Sequence, residues 1–306
     1  MSTKNKIFRP ELTSAGIEAS YPVTVFDEFG KTRDTHITGE RPLTIYIDKQ
    51  EIVTLMTLGK NPELLVIGYL YNQGFIKKTE DIKSVQVDWE VESAVVVTSG
   101  GISELEKRLE KRTVTSGCGQ GTVFGDMMED LDKIKLNSPA LRQSSFYRLL
   151  KNIREYNEVY KKSGAVHGCA LCKDEEIEIF TEDVGRHNAA DAIAGYMLLE
   201  QIDGSDKLFY TTGRLTSEMV IKVAQMGIPI LFSRAGVTKM GLELSQKLGV
   251  TTISRAAGKH FLVYNGAETV IYDAKPAEKT DSRFHSSESS EESPLHERRR
   301  GAGLNT

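Results

Sequence analysis

KLFYTTGRLTSEMVIKVAQMGIPILFSRAG, residues 207–236, reads as a strand over 207–211, a helix over 216–226 and a second strand over 230–233, with an arginine just beyond each strand. Strand, helix and strand in so short a stretch form a βαβ unit, which calls for parallel strands with the helix packed across them. The same alternation continues outward. A strand over 177–181 and a helix from about 187 to 199 precede it, and a helix over 238–248 and strands over 250–254 and 261–264 follow. A helical stretch over 140–162 leads in, and no repeat of fixed period accompanies the series.

The first hundred residues are different in kind. Short β-like runs at 22–26, 43–47, 84–87 and 93–97 surround one helix that starts at Asn61-Pro62-Glu63 and stops at Gly74, with Leu64, Ile67, Gly68 and Tyr71 on one face. From residue 279 the chain reads KTDSRFHSSESSEESPLHERRRGAGLNT, with too few apolar groups to offset the entropy of ordering. The expected organisation is an N-terminal extension over 1–19, a small α+β domain over 20–110, a larger α/β domain over 111–275 and a disordered tail over 276–306.

Composition removes several classes of function. Lys and Arg total 39 against 43 Asp and Glu, a net charge of −4, so no global basic field draws the chain to nucleic acid or acidic lipid. No apolar run of about 18 residues offers a membrane span. The N-terminal MSTKNKIFRPELTSAG has no apolar h-region, which places the expected protein in the cytoplasm, and three cysteines do not make a disulfide framework.

The turns after the strands carry the most chemistry. EDVGRHN, TTGRLTSE, SRAGVT and SRAAGK place Arg186, Arg214, Arg234 and Arg255 where parallel strands end and helix N-termini begin. Guanidinium forks and helix N-termini together describe a site for a polyanion, with a nucleotide or pyrophosphate the natural ligand. The alternative is that the arginines pair with acids such as Glu182, Asp183 and Glu218. His187, beside Arg186 at the expected helix start, suits either a phosphate contact or a capping role. His260, near Lys259, Phe261 and Tyr264, suits either nucleotide stacking or an ordinary edge strand.

Three thiols are weighed separately. Cys118, in TVTSGCGQGTVF, has Gly117, Gly119 and Gly121 around it, which reads either as an exposed reactive thiol on a mobile loop or as a glycine-rich turn that contains a cysteine. Cys169 and Cys172 form C-x-x-C two residues after His167, a spacing that suggests zinc. A strand through 166–172 instead puts the two side chains on opposite faces, as buried small hydrophobes.

RTVTSGCGQGTVF, VHGCALCKDEEIEIFTEDVGRHNAADAIAGY, TTGRLTSEMVIKVAQMGIPILFSRAG and FLVYNG, in that order and spacing, resemble the FdhD family of formate dehydrogenase accessory sulfurtransferases, and residues 40–76 resemble its opening block. The resemblance covers roughly residues 20–273, and EDVGRHNA is its most specific motif. It implies a cytidine-deaminase-like α/β domain beside the smaller N-terminal α+β domain, in a homodimer. It further implies a sulfur relay, in which a cysteine desulfurase loads Cys118 as a persulfide and the sulfur passes to the bis-guanine-dinucleotide molybdenum cofactor required by formate dehydrogenase. The implied cofactor-binding residues are Phe261, Leu262, Val263, Tyr264, Asn265 and Gly266, and Arg186, His187, Arg214 and Arg234 meet them from the polyanion reading, with GDP-like nucleotides as further ligands.

Two departures stand out. Gly121 occupies a position where many relatives have a second loop cysteine, and Cys169 and Cys172 replace small or apolar residues. The deaminase signature H-x-E with P-C-x-x-C is missing, so no resident metal is expected. A non-catalytic insertion chaperone for the cofactor is the alternative function, and a zinc hydrolase using His167, Cys169 and Cys172 is a further one.

Overall fold

A computed structural model describes residues 8–101, 113–114, 121–122, 131 and 133–276. The N-terminal elements are strands β1 (Glu11–Leu12), β2 (Ser20–Phe26), β3 (Thr32–Thr38), β4 (Arg41–Ile47) and β5 (Gln50–Thr57), helix α1 (Pro62–Asn72), and strands β6 (Ile82–Asp88) and β7 (Ser93–Thr98). Five of the strands form one sheet in the order β1-β6-β7-β4-β5. Along β4 the side chains of Leu43, Ile45 and Ile47 are fully buried and those between them are not, the period-2 pattern of a strand with one covered face. That covered face packs on Leu65, Val66, Tyr69 and Leu70 of α1.

Strands β3 and β5 go beyond the sequence reading. TRDTHIT of β3 has a single large apolar residue, Ile37, because β3 pairs only with β2 in an exposed hairpin and covers no core. Residues 8–19, read as an extension, supply β1, which pairs with Ser84 and Val85, and a carbonyl at Ala15 that accepts the Trp89 indole N–H at 2.6 Å.

Helix α1 is covered on almost every side, more than a one-faced helix would be. Asn61 makes no side-chain cap; Glu63 instead accepts from the Thr13 hydroxyl at 2.9 Å and the Ala15 N–H at 2.6 Å, tying the first strand's exit to the helix start.

The remaining elements are the short strands β8 (Thr113–Val114), β9 (Gly121–Thr122) and β10 (Leu141–Arg142), helices α2 (Gln143–Ile153) and α3 (Glu158–Ser163), strands β11 (His167–Lys173) and β12 (Glu176–Asp183), helix α4 (Arg186–Glu200), strand β13 (Leu208–Thr211), helix α5 (Ser217–Gln225), strand β14 (Ile230–Ser233), helix α6 (Lys239–Leu248), and strands β15 (Thr251–Ala257), β16 (His260–Asn265) and β17 (Val270–Ile271). The single helix expected over 140–162 is two helices, because Asn157 leaves helical geometry and its side chain turns back to the Ile153 carbonyl at 3.1 Å.

The larger sheet runs β12-β11-β13-β14-β15-β16. Only β13, β14 and β15 are parallel neighbours; β11, β12 and β16 are antiparallel to theirs, so the sheet is mixed. The crossover through α4 therefore passes over β11 to reach β13. Side chains from α4, α5 and α6 cover one face with Cys169 and Leu171, and α2 covers the other with Ala170 and Cys172.

The two sheets are joined by α1 crossing α4. The crossing is so close that a Cβ on Gly68 would lie 1.7 Å from the Asp191 carbonyl oxygen, and one on Gly195 would lie 2.1 Å from that of Leu64. Among the described residues, no helix is long and apolar enough to cross a membrane.

Candidate functional site

The site forms where β13 and β14 end and α4, α5 and α6 begin. The TTGRLT and SRAGVT turns lie side by side: the Leu215 N–H donates to the Gly236 carbonyl and the Thr238 N–H to the Leu215 carbonyl, both at 3.0 Å. The Ser233 hydroxyl donates to the Gly213 carbonyl at 2.6 Å, locking the end of β14 to the first turn. Thr238 caps α6 by accepting from the Gly241 N–H at 3.2 Å.

The EDVGRHN motif sets the start of α4. Asp183, at the end of β12, accepts from the Thr57 hydroxyl (2.6 Å), the Leu58 N–H (3.1 Å), the Gly185 N–H (3.1 Å) and the Asn188 side-chain N–H (2.8 Å). Burial raises its pKa, and these four donors oppose the rise. Asn188 also donates to the Met56 carbonyl at 2.7 Å, so the pair rivets β5 to α4. Glu182 accepts from the Val159 and Tyr160 N–H groups, each at 2.9 Å, and so caps α3. Glu182 and Asp183 thus spend their oxygens on structure and are not the partners of the neighbouring arginines.

Arg186, only 6% exposed, runs its stem across Gly213, where a Cβ would sit 2.5 Å from the arginine Cδ. This contact accounts for the glycine in TTGR. Arg214 and Arg234 are exposed, and the Arg234 guanidinium lies 4.9 Å above the Tyr160 ring, a cation–π contact that orients it. Arg255, also exposed, sits in a bulge of β15 at a left-handed φ of 51°, its N–H donating to the Ala235 carbonyl at 3.1 Å.

Two histidines respond to this charge. His187 is 2% exposed, with its Nε2 3.1 Å from a Glu218 oxygen. Burial first, then Lys222, Arg186, His167 and Arg214, hold its pKa at about 2, so the imidazole is neutral. One turn further along both helices, Lys222 pairs with buried Asp191, which also accepts from the Asn72 side chain at 2.7 Å.

His167 was read in sequence only as a metal alternative, yet it stands at the start of β11 within the arginine cluster. Its Nδ1 lies 3.2 Å from the Thr212 hydroxyl. Burial, then Arg186, Arg234 and Arg214, lower its pKa. Tyr160 and Thr212 are the neighbours of this cluster that sequence reasoning missed, while His167 and Glu218 entered it only as a metal ligand and as an arginine partner. The cross-strand register that brings Cys169 opposite Thr211 is what carries His167 to Thr212, and nothing in a single sequence states that register.

The other expected residues lie elsewhere. Cys169 and Cys172 point to opposite faces of the sheet and are fully buried, so His167, Cys169 and Cys172 do not form a common metal site. Burial pushes the Cys169 thiol up to about 12 and the Cys172 thiol higher still.

Strand β16 starts at the arginine end and runs away from it. Phe261 packs edge-on against Phe146 at 5.3 Å, and Val263 is half-buried beside it. The Asn265 side chain donates to the Val250 carbonyl at 2.8 Å, and Gly266 has φ 79° against Thr251. Leu262 and Tyr264 are the exposed members of the segment. Cys118 lies outside the described residues; the paired strands β8 and β9 flank it in sequence, with Val114 opposite Gly121.

Fold and geometry together define an α/β protein with a cluster of arginines at one end of a mixed sheet. The chain belongs to the FdhD/NarQ family, whose profile matches residues 38–271. A sulfur carrier protein FdhD from Bacillus pumilus is 32% identical over 230 residues, 74% of this chain and 87% of the relative. One from Listeria monocytogenes serotype 4b is 32% identical over 241 residues, 78% of this chain and 92% of the relative. The crystal structure of a protein from Desulfotalea psychrophila, assigned as a candidate formate dehydrogenase accessory protein, superposes with a TM-score of 0.66 at 27% identity, covering 83% of this chain and all of that one.

Proposed function

We propose that this chain is a sulfurtransferase that carries sulfane sulfur as a persulfide on Cys118 and delivers it to the bis-guanine-dinucleotide molybdenum cofactor on behalf of formate dehydrogenase. The Cys118 thiolate attacks the outer sulfur of a cysteine desulfurase persulfide; a new S–S bond forms at Cys118 and the desulfurase thiolate leaves. The cofactor, as substrate, then supplies the electron pair that bonds the outer sulfur, the S–S bond breaks, and its pair leaves on the regenerated Cys118 thiolate. A single loop thiol is enough for this cycle, which is why Gly121 in place of a second cysteine does not forbid it.

The observation that carries the reading is the convergence of Arg186, Arg214 and Arg234 at one end of the sheet, in a chain whose relatives are named sulfur carriers. Guanidiniums and helix N-termini match the cofactor's pyrophosphates and, in the same way, GDP-like nucleotides. His187 is buried beside Glu218 within electrostatic reach of Arg186 and Arg214, and the exposed Leu262 and Tyr264 offer the outer face of the Phe261, Leu262, Val263, Tyr264, Asn265, Gly266 segment to the ligand. The same proposal takes the protein to act in the cytoplasm as a homodimer. It takes the larger domain as cytidine-deaminase-like, in keeping with the mixed sheet and its layer of α4, α5 and α6.

Formate dehydrogenase activity in a strain lacking its own accessory protein tests the proposal. Cys118→Ala gives no active enzyme if the chain carries sulfur. Wild-type levels of activity with that variant would support a chaperone that binds and inserts the cofactor without moving sulfur.

A further inference from the structure

We propose that His167 is a proton-accepting positioning residue of the anion site: it takes up one proton from solvent when a pyrophosphate binds among Arg186, Arg214 and Arg234, and its imidazolium then helps to hold the ligand. This rests on reading the arginine cluster as an anion site.

The geometry begins with Thr212. Its hydroxyl oxygen accepts from the Gly168 N–H at 3.0 Å and lies 3.2 Å from His167 Nδ1. A hydroxyl is both donor and acceptor, so it can donate to a neutral Nδ1 and, after rotating its hydrogen, accept from a protonated one with no heavy atom moving. The Thr212 N–H to Gly168 carbonyl bond at 2.9 Å fixes both backbones while the proton arrives. With Nδ1 engaged by Thr212, Nε2 is the ring nitrogen left for a ligand.

Burial of the ring, and after it the charges around the ring, set the direction. Arg186 approaches from α4, Arg214 from the turn after β13 and Arg234 from the turn after β14, with His187 of α4 neutral behind them. Among the described residues no carboxylate lies within ion-pair distance of the His167 ring, and the three guanidiniums are the charges that act on it most. Asp183 is paired with His167 across the strands, but its carboxylate is taken by Thr57, Leu58, Gly185 and Asn188. Glu182 is taken by the N–H groups of Val159 and Tyr160, and Glu218 faces His187. Burial and the guanidiniums therefore both disfavour a charged imidazole in the empty site. A pyrophosphate diester brings two negative charges, reverses that repulsion and makes the imidazolium the favoured state. His187, at 2% exposure, lies behind the surface, whereas His167 is half-buried and open to a ligand.

Isothermal titration of the full chain with P1,P2-di(guanosine-5′) pyrophosphate tests this, because that probe's phosphates do not titrate near neutrality and any proton counted belongs to the protein. Run in buffers of different ionisation enthalpy, the wild type takes up close to one proton. Its affinity tightens by up to about tenfold per unit as the pH falls from about 8 to about 6. His167→Asn keeps a hydrogen-bonding group near the Nδ1 position; it binds more weakly, takes up no proton and loses the pH slope. Thr212→Val, which removes the switching hydroxyl, reduces the uptake. Uptake and slope unchanged in a folded His167→Asn would overturn the assignment to His167 and leave the anion site standing. Failure of the folded wild type to bind the probe at all would overturn both.

Discussion

Replacing Gly68 by alanine should destabilise the protein, although alanine is the better helix former. In an uncrowded helix the change would add about 1 kcal/mol of stability through propensity alone. Here the new Cβ would lie 1.7 Å from the Asp191 carbonyl oxygen and 2.6 Å from the Gly195 nitrogen. A carbon and an oxygen need about 3.3 Å, so α1 and α4 would have to part by about 1.5 Å. The obstacle is backbone, and no side chain can turn aside to relieve it. Overpacking of this kind costs about 3 kcal/mol, and more where, as here, Leu64, Tyr71 and Ala194 lose contact with neighbours along the crossing. For a chain of this size each kcal/mol moves the melting temperature by about 2–4 °C, so the expected fall is about 6–12 °C by calorimetry. Gly195→Ala, blocked by the Leu64 carbonyl at 2.1 Å, should fall similarly, and Gly100→Ala, with open space around it, should change little. A Gly68→Ala melting temperature equal to or above that of the wild type would refute the close crossing.

Buried charge gives two more predictions. The ordinary histidine value is 6.5 and burial holds His187 at about 2, so below pH 6.5 the unfolded chain binds a proton that the folded chain does not. This stability is complete above pH 6.5 and is lost as the pH falls, by about 2 kcal/mol at about pH 5. Urea titrations at neutral and acid pH should show this loss in the wild type and not in His187→Asn. Lys222→Met removes the cation that pairs with fully buried Asp191 and should cost about 3–5 kcal/mol, whereas adding Asp191→Asn should recover most of it. Thermal melts of both variants distinguish these outcomes, and equal melting temperatures for the single and double variants would contradict the pairing.

The parallel core was legible because each of its strands announces itself twice, by an apolar run and by the glycine or arginine turn that ends it. Strand β14 falls over Ile230–Ser233, where the apolar run ends before Arg234. The strand β3 was not legible, since a strand whose side chains are almost all exposed needs no apolar alternation. Arg186, Arg214 and Arg234 could be placed from their position after strands, whereas His167 could not. Its place beside them depends on β11 lying between β12 and β13, a topological fact that local pattern does not contain. The Asp191–Lys222 pair was hidden for a similar reason: AADAIAG reads as an apolar helix with one stray acid until α5 is laid beside it.

The central claim is that Cys118 carries sulfur. Intact-protein mass spectrometry after incubation with a cysteine desulfurase and L-cysteine tests it most directly, comparing wild type, Cys118→Ala and the double alanine variant at Cys169 and Cys172. The account predicts a reductant-sensitive gain of one sulfur atom in the wild type and the double variant and none in Cys118→Ala, because the two strand thiols are buried with raised pKa values. A gain that persists in Cys118→Ala and vanishes in the double variant, or no gain in the wild type beside an active desulfurase, would contradict it.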